Sequence, residues 1–305
     1  MNNAKAWRSS LRQRAAGDTT AAYLMLAPFA ILFFLFTVLP VLSSVVLSFF
    51  NYDMISDPRF VGLGNFQRMF LSDSIFWTSV KNTLVFAVIT GPIGFMLSFM
   101  LAWLVNEFRP AARSVLSFMF YAPALAGNAF FVWMVLFSSD SYGYINSFLL
   151  NAGFISQPVQ WLQDSRYTMA ICIIVQLWQS MGVSFLANIA GLQNASPQLY
   201  EAGALDGIRN RWQELWYITL PCMKSILLFS SVMQIQASFS ASAVMTALTG
   251  NPSVEYSTHT IVSHLTDVGT VRFEMGYAAA ISVFLFALMA VSRIVIGKVV
   301  NFAGK

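Results

Sequence analysis

Two sets of uncharged polar side chains recur at helical spacing inside otherwise apolar stretches. Gln176, Ser180, Ser184 and Asn188 follow one another at four-residue steps, with Gln179 beside them. Ser231, Gln234, Ser238 and Ser242 form a second set. Three- and four-residue steps put side chains on one face of a helix. Amides and hydroxyls both donate and accept hydrogen bonds, so the two rows are suited to line a path for a neutral, polyhydroxylated molecule. No Arg or Lys stands among them to pair with an anion, which favours a neutral sugar over a phosphate ester. The competing reading is mechanical, because Ser, Asn and Gln also join helices to one another inside membranes.

Other chemistries find little support. Ser184 lies in Gly182-Val183-Ser184-Phe185, which lacks the G-x-S-x-G elbow of a serine nucleophile. His259 and His264 are five residues apart, so they do not share a helix face as an i, i+4 metal pair would, and surface or loop-packing roles are expected. No G-x-x-x-x-G-K-[ST] cradle is present, so no nucleotide site of that kind is expected in this chain. Cys172 and Cys222 are expected to be free, buried thiols, one within an apolar run and one at the end of another. The chain therefore reads as non-catalytic, with no metal site.

The elements that must position the polar rows cross a bilayer. Of 305 residues, 57% are hydrophobic and only 10% charged, against roughly 25% charged in soluble domains. Charge-free runs cover Thr19–Tyr52, Asn82–Asn106, Ser114–Ser139, Tyr167–Tyr200, Ser225–Val254 and Met275–Ser292. Each can supply the roughly 20 apolar residues of a spanning helix. The expected spans are Ala22–Phe50, Thr78–Val105, Ser114–Phe137, Tyr167–Leu192, Cys222–Leu248 and Phe273–Val300. The uncharged segment Ser141–Gln163 is too rich in Gly, Asn and Gln for lipid and reads as a loop with a short helix at Ile145–Leu150. The first span is too long for a signal-peptide core and stays as a helix. With the N-terminus inside, twelve Lys and Arg fall on the cytoplasmic side and five outside, so both termini are expected in the cytoplasm. The basic balance follows from this topology, and no nucleic-acid partner is inferred.

Between the fourth and fifth spans lies Ser196–Pro221, SPQLYEAGALDGIRNRWQELWYITLP, which this orientation places in the cytoplasm. Ser196-Pro197 starts a helix as cap and first-turn proline. Gly207 supplies the left-handed residue that ends one. Asn210 can cap a second helix over Arg211–Tyr217, with Glu214 near its first turn, where negative charge is favoured. Leu199, Ala202 and Leu205 share one face, and Trp212, Leu215, Trp216 and Tyr217 give an aromatic surface. Such a helix–turn–helix suits a headgroup layer as well as a protein partner.

Glu201-Ala202-Gly203-Ala204-Leu205-Asp206-Gly207 followed by Ile218-Thr219-Leu220-Pro221 resembles the EAA loop of bacterial ABC importer permeases, whose pattern is E-A-A, two residues, D-G and later I-x-L-P. Gly203 stands where alanine is usual, and Ile208 where alanine often follows D-G. Gly203 should weaken its helix by roughly 1 kcal/mol relative to alanine. Phe60–Phe66 resembles the F-V-G-L-x-N-F of sugar permeases, Thr249–Pro252 their T-x-G-G-P with Asn251 in place of glycine, and Gly276–Ala280 the small-residue start of their last span. The chain is thus similar nearly throughout to the maltose- and glycerol-3-phosphate-type permeases.

The resemblance implies an all-α polytopic membrane protein with six transmembrane helices and a type I ABC importer permease fold. It implies a cytoplasmic tail over residues 1–20, a first helix and outer loop over 21–76, a transmembrane core over 77–300 with its coupling loop at 194–221, and a short tail at 301–305. It implies a bacterial cytoplasmic membrane location and a carbohydrate substrate. The implied partners are a second homologous permease subunit, two copies of a cytoplasmic ATPase that carry ATP and Mg2+, and an extracytoplasmic sugar-binding protein. Glu201, Ala202, Gly203, Asp206, Gly207, Leu220 and Pro221 would serve ATPase coupling. Gln176, Gln179, Ser180, Ser184, Asn188, Gln234 and Ser238 would line the substrate path. A secondary transporter or channel for a small polar solute is the alternative; such proteins usually carry ionisable groups within their spans, and these runs have none.

Overall fold

A computed structural model describes residues 22–127 and 129–303. The expected polar tail, residues 1–20, and Gly304 and Lys305 lie outside them. Helices dominate, and five are long and apolar enough to cross a bilayer.

The first, α1 (Ala22–Leu47), stands away from the bundle, with none of its apolar window buried. It carries a π-turn at Phe34–Val38, where Leu39 N–H donates to Phe34 O five residues back. Pro40 explains the turn: its ring would clash with the carbonyl of Phe36, four residues earlier, and one extra residue per turn relieves this. The end of α1 is clamped to the bundle by Ser44 Oγ, 2.7 Å from Ser282 Oγ. A two-stranded hairpin follows, β1 (Phe50–Asn51) with β2 (Arg59–Phe60), antiparallel with Phe50 opposite Phe60. Asn65 fixes it by donating to Ser48 O at 2.8 Å and Phe50 O at 2.9 Å.

Asp73 caps α2 (Ser74–Asn106), accepting from Phe76 N–H at 2.9 Å. This helix runs unbroken through Pro92. The third expected span, Ser114–Phe137, is not one helix. It is α3 (Pro110–Leu125) and, after a break, α4 (Phe131–Leu136). Pro123 lies two residues before the end of α3, and Ala126 is extended at φ −80°, ψ 92°. The 16 residues of α3 reach about 24 Å. That is short of a hydrocarbon core of roughly 30 Å, so neither piece crosses alone.

The uncharged loop holds α5 (Tyr144–Asn151), one residue longer at each end than expected. Buried Asn146 organises it, donating to Val159 O at 3.0 Å and accepting from Val159 N–H at 3.1 Å and Trp161 Nε1–H at 2.8 Å. Two further spans are also interrupted: α6 (Ser165–Gln179) and α7 (Val183–Asn194) meet at Ser180–Gly182, and α10 (Lys224–Ser240) and α11 (Ala243–Thr249) at Ala241–Ser242. Between them lie α8 (Pro197–Leu205) and α9 (Arg211–Glu214). The chain closes with α12 (Ile261–Thr266) and α13 (Met275–Ala303).

Helices α2, α7 and α10 pack on one another as the centre of the bundle. At the end carrying α8, Phe99, Ala102, Phe185, Leu192, Leu215 and Met223 fill the core. At the hairpin end it is Met69, Phe76, Ile261, Val268 and Ile281. Each aromatic or Leu-sized side chain buried here is a large contributor to packing, since lipid tails offer no further hydrophobic gain and close contact drives association.

Candidate functional site: the coupling loop and the polar seam

The loop Ser196–Pro221 folds into the two expected helices, although Ser196, at the N-cap position, makes no capping bond with its hydroxyl. Pro197 opens α8 at its first position. Its end is a Schellman motif: Ile208 N–H donates to Gly203 O at 3.0 Å and Gly207 N–H to Ala204 O at 3.4 Å. Gly207 has φ +95°, a conformation in which a Cβ is strained, which is why glycine stands there. Asn210 Oδ1 accepts from Gln213 N–H at 2.8 Å, and Gln213 Oε1 accepts from Arg209 N–H at 2.9 Å, so α9 is capped from both directions. The second helix does not stay regular through Tyr217 as expected. It widens into a π-turn over Leu215–Thr219, with Pro221 set against the carbonyl of Tyr217, the same device as before Pro40.

Glu201, Ala202, Asp206 and Gly207 are exposed. Leu205 is 91% exposed, an unusual setting for leucine. Gly203 is different. It is buried inside the loop against Ile208 and Ile218, so it meets no outside partner directly. Leu220 is half-buried against the core and Pro221 is exposed. Arg211 fastens the loop to the chain after α2, reaching Glu107 at 2.7 Å and Glu214 at 2.8 Å, and Trp212 lies 5.4 Å from Trp103. Cys222, expected to be buried, is exposed, and both cysteines are free.

The polar rows come together, but not as an open lining. Ser180, Ser184, Asn188, Ser231, Gln234 and Ser238 are buried where α2, α7 and α10 meet. Ser184 Oγ donates to Ser230 O at 3.0 Å, and Asn188 Nδ2 to Ser98 Oγ at 3.2 Å. Gly94 lets the Gln234 amide approach α2 so closely that a Cβ would strike it. Gln176 is also buried, while Gln179, next to the α6–α7 break, is half-exposed. Only Ser184 and Asn188 hydrogen-bond across to another helix; Ser180, Ser231 and Ser238 donate to carbonyls three or four residues back, and the buried Gln234 Nε2 and Asn188 Oδ1 have no partner within the subunit. The row that remains open on α10 is a different one, Gln236 and Ser240, both exposed within the span. Gln236 also borders a cavity of about 520 Å³ between α10 and α13, together with Phe239 and Arg293. A count of polar residues at i, i+4 could have found this pair, but nothing in the residue types distinguishes it from the buried row.

A third cluster sits at the hairpin end. Asp73 accepts from Tyr277 Oη at 2.6 Å and lies 2.9 Å from His264 Nε2, joining α2, α12 and α13. Burial raises the Asp73 carboxyl, but the Tyr277 and Phe76 donors and the neighbouring His264 more than offset this and hold it below its ordinary value. Burial, with His264 next to it, pushes His259 down to about 4. His259 packs in the loop before α12, while His264 is a buried residue of α12 itself, and among the described residues no group of three or more potential ligands could hold a metal.

With this geometry in place, comparison with known proteins is decisive. Residues 92–301 match the family described as binding-protein-dependent transport system inner membrane component. The chain belongs to that family. It is 30% identical to the probable ABC transporter permease protein YesP of Bacillus subtilis, over 99% of this chain and 96% of that one. It is 30% identical to the arabinooligosaccharides transport system permease protein AraP of the same organism, over 98% and 93%. The lactose transport system permease protein LacF of Rhizobium radiobacter is 29% identical over 88% of this chain and 90% of its own. The fold matches a chain of a bacterial ABC transporter involved in import of the acidic polysaccharide alginate, with TM-score 0.76 over 99% of this chain and all of that one at 22% identity. This family member is a multi-helix permease subunit of an ABC importer, and two of the relatives named above are permeases for arabinooligosaccharides and for lactose.

Proposed function

We propose that this chain forms half of the translocation path of an ATP-driven carbohydrate importer in a bacterial cytoplasmic membrane. A second, related permease subunit supplies the other half. Two copies of an ATPase, carrying ATP and Mg2+, dock on the two cytoplasmic loops, and an extracytoplasmic binding protein delivers the sugar. Counting α3 and α4 as one interrupted span gives six crossings with both termini inside. The single observation that carries the coupling role is α8. It presents Glu201, Ala202, Leu205, Asp206 and Gly207 outward on a rigid, capped support that is tied to α2 through Arg211. A loop meant to receive force has to transmit it to a span without bending.

The sugar path follows the interrupted spans. Non-helical backbone at membrane depth is tolerated where it is buried in protein or lines a water-filled cavity. Gln179 and Ser242, at two of the breaks, and Gln236 and Ser240, on the exposed face of α10, are polar groups within reach of a solute, Ser240 with its hydroxyl donated to the Gln236 carbonyl. Movement of α8 would rock α7 and α10 about the seam, opening the path to one side and then the other.

The test is purification followed by substitution. The chain should co-purify with an ATPase and a second permease. Gly207→Pro should leave assembly intact while abolishing ATP-dependent accumulation of the solute carried by its binding protein. Proton- or sodium-driven uptake by the isolated chain would instead support a secondary transporter.

A further inference from the structure

We propose that Gly203, Ile208 and Ile218 form a steric wedge that sets the pitch of α8, so that Gly203 is a positioning residue for ATPase coupling and not a contact residue. This rests on the coupling role proposed above. A Cβ built on Gly203 would lie 2.5 Å from Ile218 Cδ1 and 3.1 Å from Ile208 Cδ1. The first separation is shorter than real Cβ contacts allow, so an added methyl must move either Ile218 or the helix. Ile218 is buried in the π-turn that leads into α10, and the neighbouring Thr219 is hydrogen-bonded to Tyr200 of α8 at 3.0 Å. Ile208 is the C″ residue of the Schellman motif, whose side chain folds back over the C3 position, here Gly203.

The three side chains therefore close one joint. The missing methyl at 203 is filled by the two isoleucine δ-methyls, and α8 rests directly on the segment that continues into the span. A helix that was merely tolerating glycine would leave the space beside it open. Here that space is taken by the two isoleucine side chains, whose close packing works against the glycine's poor helix propensity.

Coupling should then depend on a single atom. Gly203→Ala sets its new methyl against Ile218 Cδ1, and with Ile218 enclosed in the joint we expect the strain to fall on the seat of α8; Ile218→Val deletes the Cδ1 atom that obstructs the methyl. The experiment uses the full transporter in proteoliposomes with Ser240→Cys as reporter and Cys222→Ser to remove the exposed native thiol. Labelling by a membrane-impermeant maleimide is compared with and without Mg-ATP and vanadate. With the native loop, nucleotide trapping should change the labelling rate. Gly203→Ala should shrink that change severalfold, and Gly203→Ala with Ile218→Val should restore it. If Gly203→Ala fails to assemble while the double variant assembles and responds, the wedge is equally supported. A normal response in Gly203→Ala, or no rescue in the double variant, overturns it. If Gly207→Pro abolishes the response while Gly203→Ala does not, only the wedge falls. If the native loop shows no response to nucleotide, the coupling role falls and takes the wedge with it.

Discussion

Single atoms decide several features of this molecule. Asp73 is one: it caps α2 and takes hydrogen bonds from two other segments at once. Asp73→Ala should lower stability by roughly 2–4 kcal/mol, since it removes a cap and strands the buried Tyr277 hydroxyl and His264. Thermal melting in detergent would show this, and an unchanged midpoint would remove Asp73 from the account. The same cluster makes the hairpin end sensitive to acid. His259 has a folded value near 4 against an unfolded value of 6.5, so between these limits the unfolded chain holds more protons and stability falls as pH falls. Asp73, held low in the fold, loses its contribution further down, as pH drops through its depressed folded value. The melting midpoint should therefore decline from pH 6.5 towards 4, and His259→Gln should flatten that part of the curve. Little of this was legible in the sequence. His259 and His264 carry no motif, and Asp73 joins residues about 200 positions apart in the chain.

At the level of elements, local signals were read well where the chemistry is local. Ser196-Pro197, Gly207 and Asn210 marked the start, stop and restart of α8 and α9, because caps and left-handed glycines act within a few residues. Asn210→Ala should cost about 1 kcal/mol and loosen the link between the two helices. Amide hydrogen exchange should rise over Arg211–Glu214 and not in α2, and equal exchange in both would count against this assignment. What failed was continuity. The charge-free run Ser114–Ser139 is apolar enough for a whole helix, and composition cannot show that it divides at Ala126–Phe130. Of the four π-turns among the described residues, Arg68–Ser72 and Asp267–Val271 have no proline after them, and the two that do, Phe34–Val38 and Leu215–Thr219, were equally hidden although the sequence displays the proline. Their logic lies in the carbonyl four residues earlier, which becomes visible only once the helix is built.

At the scale of the whole subunit, the main question is which polar surface faces the solute. The sequence showed two rows on the later spans and could not say which side of each helix was buried. The bundle answers for both: Ser184 and Asn188 of the first row and Gln234 and Ser238 of the second are enclosed by α2, α7 and α10. A further row, Gln236 and Ser240, is exposed along α10. Exposed polar groups at membrane depth are costly against lipid, so a water-filled path or a partner helix must face them. Substitution separates the roles. Ser240→Cys in a Cys222→Ser background should react with a membrane-impermeant maleimide in the assembled transporter, and Ser238→Cys, two residues away and buried, should not. Gln236→Leu should reduce uptake while leaving the unfolding free energy within about 0.5 kcal/mol of the parent, as expected for a surface change away from the packed core. Gly94→Val should do the reverse of that ordering. It drives a side chain into Gln234 and should destabilise the seam by roughly 1–3 kcal/mol before any effect on solute recognition appears. If Ser238→Cys labels as fast as Ser240→Cys, water reaches the seam itself, and the buried row returns as the path.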